Sequence, residues 1–346
     1  MLSMRRAVVL VCLSLLVQAA DLAAAAPVFP PLAPLPGTGS LDPSPGATSF
    51  VFVVAGDDRP ANHNDPLPPT LTTIVQKIKG MSGGGTAPAF ALWAGDTISG
   101  KKPDDEAKMQ KQYAEFLGVV KGAGVPVFSA PGNHELNLKA EPKHCPKAID
   151  APDPSGNLLH YWKSFMGEPF GVFRYGNSAF VSVNTDDTVE KGTKLDQCKY
   201  NGYISPDQLA GLQATLAGLA EDKSVAHVFV VMHRPVEASP VNVKNQLDKS
   251  SRDPLKDLLE DAKYPNVSFV FAAHQHLFYF HDKKNPWSTG PFTRQDPAGK
   301  KPYYVITGGA GAPLTGKATP ATGGYHHYLV VQVEGAKVTV TVEKVE

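Results

Sequence analysis

Across 346 residues the sequence holds only three cysteines, and none stands in a spaced group of the kind that builds a structural zinc site. An excess charge of one sign is missing as well. Lys plus Arg and Asp plus Glu are both 33, so no global field draws in nucleic acid or an acidic membrane surface. No internal repeat is present. The longest leading apolar run, Ala7 to Val17, is too short to span a bilayer comfortably. What is present is ordinary globular material, 42% hydrophobic and 19% charged, with enough chain to bury a full core.

The ends of that apolar run are informative. Arg5 and Arg6 precede it and small residues follow to Ala26, the layout of a secretory signal peptide over residues 1–26. The expected location is therefore secreted or periplasmic. Cys12 falls inside the run without a lipobox, so no lipid anchor is expected. Export leaves Cys145 and Cys198, an even count that favours one disulfide in an oxidising compartment. Residues 27–47 are rich in Pro, Gly, Ser and Ala and read as an extended, disordered linker. One domain then occupies residues 48–346.

Within that domain short β-type runs alternate with helical patterns. Phe50–Val54, Phe90–Trp93, Val125–Phe128, Val228–Val231 and Val267–Phe271 read as strands. Leu71, Ile74, Val75 and Ile78 mark one helical face, and Ser205-Pro206-Asp207-Gln208 a helix start, with Ser205 as N-cap, Pro206 in the first turn and Gln208 at the capping-box position. Tyr325–Glu334 and Lys337–Glu343 read as a closing antiparallel pair. The alternation predicts a layered α/β fold with helices covering the sheets.

Each of those five strands runs into a metal-ligand residue type. They lead to Gly56-Asp57, Gly95-Asp96, Gly132-Asn133-His134, His233 and His274-Gln275-His276. Carboxyl ends of strands in α/β sheets open onto one crevice, so the five can converge. Gly before Asp permits a sharp turn, and His274 and His276, two apart on an extended segment, point the same way. Carboxylate, amide oxygen and imidazole suit Mn, Fe or Zn. A metal pair of that kind makes hydroxide available at neutral pH for in-line attack on phosphorus. Glu135 follows His134, but no second His stands at helical spacing, which excludes a zinc metalloprotease.

These motifs resemble those of the calcineurin-like metallophosphoesterases, particularly secreted, purple-acid-phosphatase-like members. Gly308-Gly309-Ala310-Gly311 and His233-Arg234-Pro235 add softer agreement. The resemblance implies a four-layer αββα sandwich of two mixed sheets flanked by helices, with two divalent or trivalent metal ions. It implies that Asp57 and His276 bind the first ion, Asp96 bridges, and Asn133, His233 and His274 bind the second. His134 then stabilises the transition state or protonates the leaving oxygen. The implied reaction is hydrolysis of a small phosphomonoester or phosphodiester by a metal-bridging hydroxide. The rival reading is a non-catalytic binding module on a degenerate copy of the fold.

One departure stands out. The family's first motif is Asp-x-His, and here it reads Asp57-Asp58-Arg59. Either Asp58, Asn62 or His63 replaces the ligand, or Arg59 grips a substrate phosphate with its planar fork, or Arg59 is a surface ion pair. The last motif begins with Ala273 where the family has Gly. Asp186-Asp187 reads as a loop, His326 and His327 as structural, and residues 283–301 as a basic loop able to overhang the site.

Overall fold

The computed structural model describes residues 28–81, 87–100, 106–136, 158–187, 201–295 and 301–346. The signal peptide and both ends of the expected Cys145–Cys198 disulfide lie outside the described residues. In chain order the strands are β1 (Ser49–Ala55), β2 (Pro88–Trp93), β3 (Val127–Ser129), β4 (Gly171–Tyr175), β5 (Ser178–Val183) and β6 (His227–Met232). They continue with β7 (Val267–Ala272), β8 (Phe278–Phe280), β9 (Phe292–Gln295), β10 (Tyr303–Thr307), β11 (His327–Glu334) and β12 (Lys337–Lys344). The helices are α1 (Pro69–Gly80), α2 (Glu106–Val120), α3 (Asn133–Leu136), α4 (Leu159–Phe165), α5 (Pro206–Glu221) and α6 (Lys249–Leu259).

Two mixed six-stranded sheets result, ordered β3-β2-β1-β11-β12-β9 and β4-β5-β6-β7-β10-β8. β1, β2 and β3 run parallel in the first, and β5, β6, β7 and β10 run parallel in the second. Alternation along each strand builds the layers. In β1, Phe50, Phe52 and Val54 face the other sheet, while Val53 and Ala55 face α1 and α2. Phenylalanine fills the space between the sheets: Phe52 lies 5.1 Å from Phe180 and 5.0 Å from Phe229, edge to face in both cases. On the outer face of the second sheet, Leu212, Leu216 and Leu219 of α5 and Leu255 and Leu259 of α6 close a third apolar layer. This is the αββα sandwich expected from the sequence.

Three expectations need correction. Residues 28–47 are extended, but they pack onto the domain rather than dangling from it. Phe29, Leu32 and Leu35 are buried between the prolines. Leu32 N–H donates to the Val172 carbonyl (2.9 Å) and Leu35 N–H to that of Val127 (2.7 Å). Prolines cannot donate, yet the residues between them can, and their apolar side chains supply the burial. The basic stretch 283–301 contributes an edge strand, β9, paired with β12, rather than only a loop. At α5, Ser205 caps as expected, its Oγ accepting from Gln208 N–H (3.2 Å). Gln208 completes no capping box. Its amide turns inward and holds the Asn184 backbone through both its oxygen (2.8 Å) and its nitrogen (3.0 Å).

Candidate active site

The parallel strands deliver their carboxyl ends to one place. Asp57 follows β1, Asp96 follows β2, Asn133 opens α3 after β3, His233 follows β6, and His274 and His276 follow β7. Four of these residues carry left-handed backbone: Asp57 (φ 59°), Asp96 (φ 57°), His274 (φ 67°) and His276 (φ 51°). Non-glycine residues rarely hold such angles, and each costs about 1–3 kcal/mol unless its surroundings impose it. Here glycine makes the room. A Cβ on Gly132 would stand 2.3 Å from the Asp96 carboxylate, and one on Gly308 2.4 Å from that of Asp57. Ala273 is tolerated because its partner across the turn is Gly56, where a Cβ would come within 2.8 Å of Ala273 Cβ.

The segment from His274 to His276 is therefore bent, not extended. Its two imidazoles enter different ligand groups, one made of Asp96, His233 and His274, the other of Asp57, Asp96 and His276. Asp96 belongs to both. Within each group the ligand atoms lie within 4.8 Å of one another. Asn133 Oδ1 sits 3.2 Å from His233 Nε2, which is also 3.2 Å from Asp96 Oδ1. Asp57 Oδ1 is buried and accepts no hydrogen bond, although burying a bare carboxylate oxygen is expensive. That orphaned acceptor, beside imidazoles and a second carboxylate, fits a cation.

Charge distribution agrees. Burial works to raise the Asp96 pKa, yet His233, His134 and Arg59 beside it prevail and hold it well below the usual carboxylate range. Burial works to lower His233, and Asp96 and Asp57 overcome it, raising the imidazole to about 9. Burial raises Asp57. Without an ion the site gathers protons where ligand lone pairs would otherwise face a cation, so metal binding there releases protons.

Two residues that the sequence did not single out support this cluster. Glu135 is fully buried and accepts from four backbone N–H groups: Asp96 (2.9 Å), Thr97 (2.7 Å), Ile98 (3.0 Å) and Gly132 (2.6 Å). It fastens the β2 and β3 turns together, and burial and Asp96 raise it to about 7. Asp186 is not a free loop residue. It accepts from Arg234 Nε (2.9 and 3.0 Å), and Arg234 Nη1 donates to His274 Nε2 (3.0 Å). Burial and that guanidinium hold His274 well below the ordinary histidine pKa, in the neutral form a metal requires. Asp186 stands just past β5, the same strand-end position as the ligands, and that was the available signal.

Arg59 is placed in the site and not on the surface. Its Nε lies 3.5 Å from Asp96 Oδ2, and its side chain is 14% exposed. Neither Asp58 nor His63 joins a ligand group among the described residues. Asp58 Oδ1 accepts from Trp93 Nε1 (3.0 Å), and Asn62 is exposed with its amide on Asp65 (2.8 Å). His134 N–H donates to Asp96 Oδ1 (2.9 Å), its Nδ1 lies 2.6 Å from the Ser99 carbonyl, and its Nε2 lies 3.8 Å from Asp96 Oδ2. A cavity of about 270 Å³ opens over these groups, lined by Arg59, Asp96, Asn133, His134, His274 and His276 on the ligand side. His326 and His327 stay outside it, as expected.

Among solved structures, the chain is similar to a Staphylococcus aureus protein described as a 5'-nucleotidase (13% identity, TM-score 0.44). That likeness covers 86% of this chain and 53% of the other, so the chain spans about half the length of that protein. It is similar also to a phosphopantetheinyl hydrolase from Mycobacterium tuberculosis (11% identity, TM-score 0.35), over 75% of this chain and 90% of the other. No curated protein sequence matches. The family comparison is decisive for kinship and begins just past the divergent Arg59: residues 63–278, more than half of the chain, match the calcineurin-like phosphoesterases, and the chain belongs to that family.

Proposed function

We propose that the chain is an exported phosphoesterase that hydrolyses a small phosphomonoester or phosphodiester with two metal ions, Mn, Fe or Zn. The observation that carries this reading is the sharing of Asp96 by two ligand groups beneath one cavity. Asp57 and His276 complete one ion's ligands; Asn133, His233 and His274 complete the other's. When bound, such a pair supplies Lewis acidity toward phosphoryl oxygens and lowers the pKa of water. Arg59, on the cavity wall, orients the phosphate through charge-assisted hydrogen bonds. His134 Nδ1 faces a carbonyl and so carries a hydrogen, which leaves Nε2 as the atom that holds a proton and passes it to the departing oxygen.

Export is proposed on the charged, apolar and small-residue sequence of the N-terminus. The partner is a small phosphate ester and not nucleic acid, in keeping with the balanced charge. No helix among the described residues is long and apolar enough to cross a membrane, and no stable anchor is proposed.

The test is turnover of p-nitrophenyl phosphate and its diester by protein stripped of metal and refilled with Mn, Fe or Zn. His134→Ala is expected to lose about 100-fold or more in kcat while keeping its metal. Folded protein that is silent with every metal on both esters would sink the proposal.

A further inference from the structure

Beside the candidate ligands, the wall of the cavity is built from Asn242, Asn245, Gln275 and Thr315. Among the described residues no aliphatic side chain and no Phe, Tyr or Trp lines the cavity, whose only rings are the imidazoles of His134, His274 and His276. Outside the described residues the sequence holds Tyr200 and no other Phe, Tyr or Trp, so there is little from which to build an apolar stacking platform. From this wall we infer that the site selects phosphate esters whose alcohol half is small and hydroxylated, a polyol or sugar phosphate, with Asn242, Asn245 and Thr315 reading its hydroxyls. The inference rests on the phosphoesterase reading above and adds its substrate class.

The wall is anchored, not a chance lining. Gln275 lies between the two ligand histidines and is fully buried. Its Oε1 accepts from Ser239 N–H (3.0 Å), and its Nε2 donates to the Asn242 carbonyl (3.0 Å) and to that of Asn245. Thr315 N–H donates to the His276 carbonyl (3.1 Å). The segment that presents His274 and His276 thus also anchors Asn242, Asn245 and Thr315.

The side chains on that wall are left with hydrogen-bonding capacity. Lys317 Nζ donates to Asn242 Oδ1 (2.9 Å), which fixes the amide's orientation and leaves Nδ2 as a donor. The side chains of Asn245 and Thr315 make no hydrogen bond to the described residues. A hydroxylated alcohol half offers both donors and acceptors to these groups. An alkyl half of equal size would strip them of water and return nothing, and unpaired polar groups of this kind discriminate strongly. The volume of about 270 Å³ admits a group of hexose size.

The test compares kcat/KM of the metal-loaded full chain for glycerol 2-phosphate and glucose 6-phosphate against n-hexyl phosphate. All three have poor alkoxide leaving groups, so intrinsic reactivity does not decide the ratio. Wild type is expected to favour the hydroxylated esters by about 10-fold or more. Asn245→Leu and, separately, Thr315→Val are expected to reduce that ratio at least several-fold, with folding checked by circular dichroism. A wild-type ratio near one, or one favouring hexyl phosphate, overturns the inference while the hydrolysis itself upholds the phosphoesterase reading. Absence of turnover on these esters and on p-nitrophenyl phosphate overturns both.

Discussion

At the scale of single residues, the most informative position is Arg59. Its guanidinium stands where the family has a neutral imidazole, 3.5 Å from the shared carboxylate. A fixed positive charge there opposes a cation in the Asp57, Asp96 and His276 group and favours an anion. Arg59→Ala should therefore raise KM for phosphate esters about 10- to 100-fold, the loss of one charge-assisted hydrogen bond. Metal content should hold steady or increase. Metal analysis beside kinetics separates the roles: an unchanged KM with lost metal would mean that the Arg59 loop supports the ligands instead. The candidate ligand residues were legible as candidates because each follows an apolar strand run. Asp186 offered only its strand-end position, and nothing in the sequence around Glu135 announces the four backbone N–H groups it holds. The same holds for Asn242, Asn245 and Thr315, whose meaning depends on a fold that brings distant loops over one cavity.

At the scale of elements, strands and helices with clear periodicity were readable, and so was the start of α5. Its Ser205 Oγ satisfies one of the N–H groups that a helix start leaves unpaired. Ser205→Ala should destabilise the protein by about 1 kcal/mol in urea titrations, and Ser205→Asp, which keeps a cap acceptor but sets a second carboxylate against Asp187, should recover only part of that loss. Equal losses in both variants would show that the Asp187 contacts to Ser205, not the cap, carry the effect. What the local pattern could not show was the other partner of Gln208. A side chain chooses between its own helix end and a neighbouring backbone only when the neighbour is in place. The N-terminal segment makes a similar point. Proline content argued for a loose tail, but tertiary packing of Phe29, Leu32 and Leu35 overrode composition.

For the whole molecule, pH is the natural lever. His327 is buried in β11, with Nδ1 facing the Tyr325 carbonyl (3.0 Å) and Nε2 without a hydrogen bond. Burial depresses its pKa to about 4, and only partial compensation comes from that carbonyl. An unfolded chain protonates this group near pH 6.5, so between about 6.5 and 4 the unfolded state binds the extra proton. Stability must then fall as pH falls through that window, by roughly 3 kcal/mol in total from this residue. In urea titrations of metal-free protein, His327→Gln should lose less stability, or gain more, than wild type on going from pH 7 to pH 5. The subtraction matters, because buried Asp57, Asp58 and Glu135 titrate with raised pKa values and the opposite sign. Identical pH slopes in variant and wild type would remove His327 from the account.

The left-handed backbone at Asp57, Asp96, His274 and His276 has an evolutionary consequence. These are positions where glycine would relax the chain and where the proposed chemistry needs a ligand-bearing side chain. Selection for thermal tolerance alone, applied to a large mutant library, would drift toward glycine at these four places and return robust, inert proteins. A screen for stability and a screen for turnover, run on one library, would then disagree most at these four places.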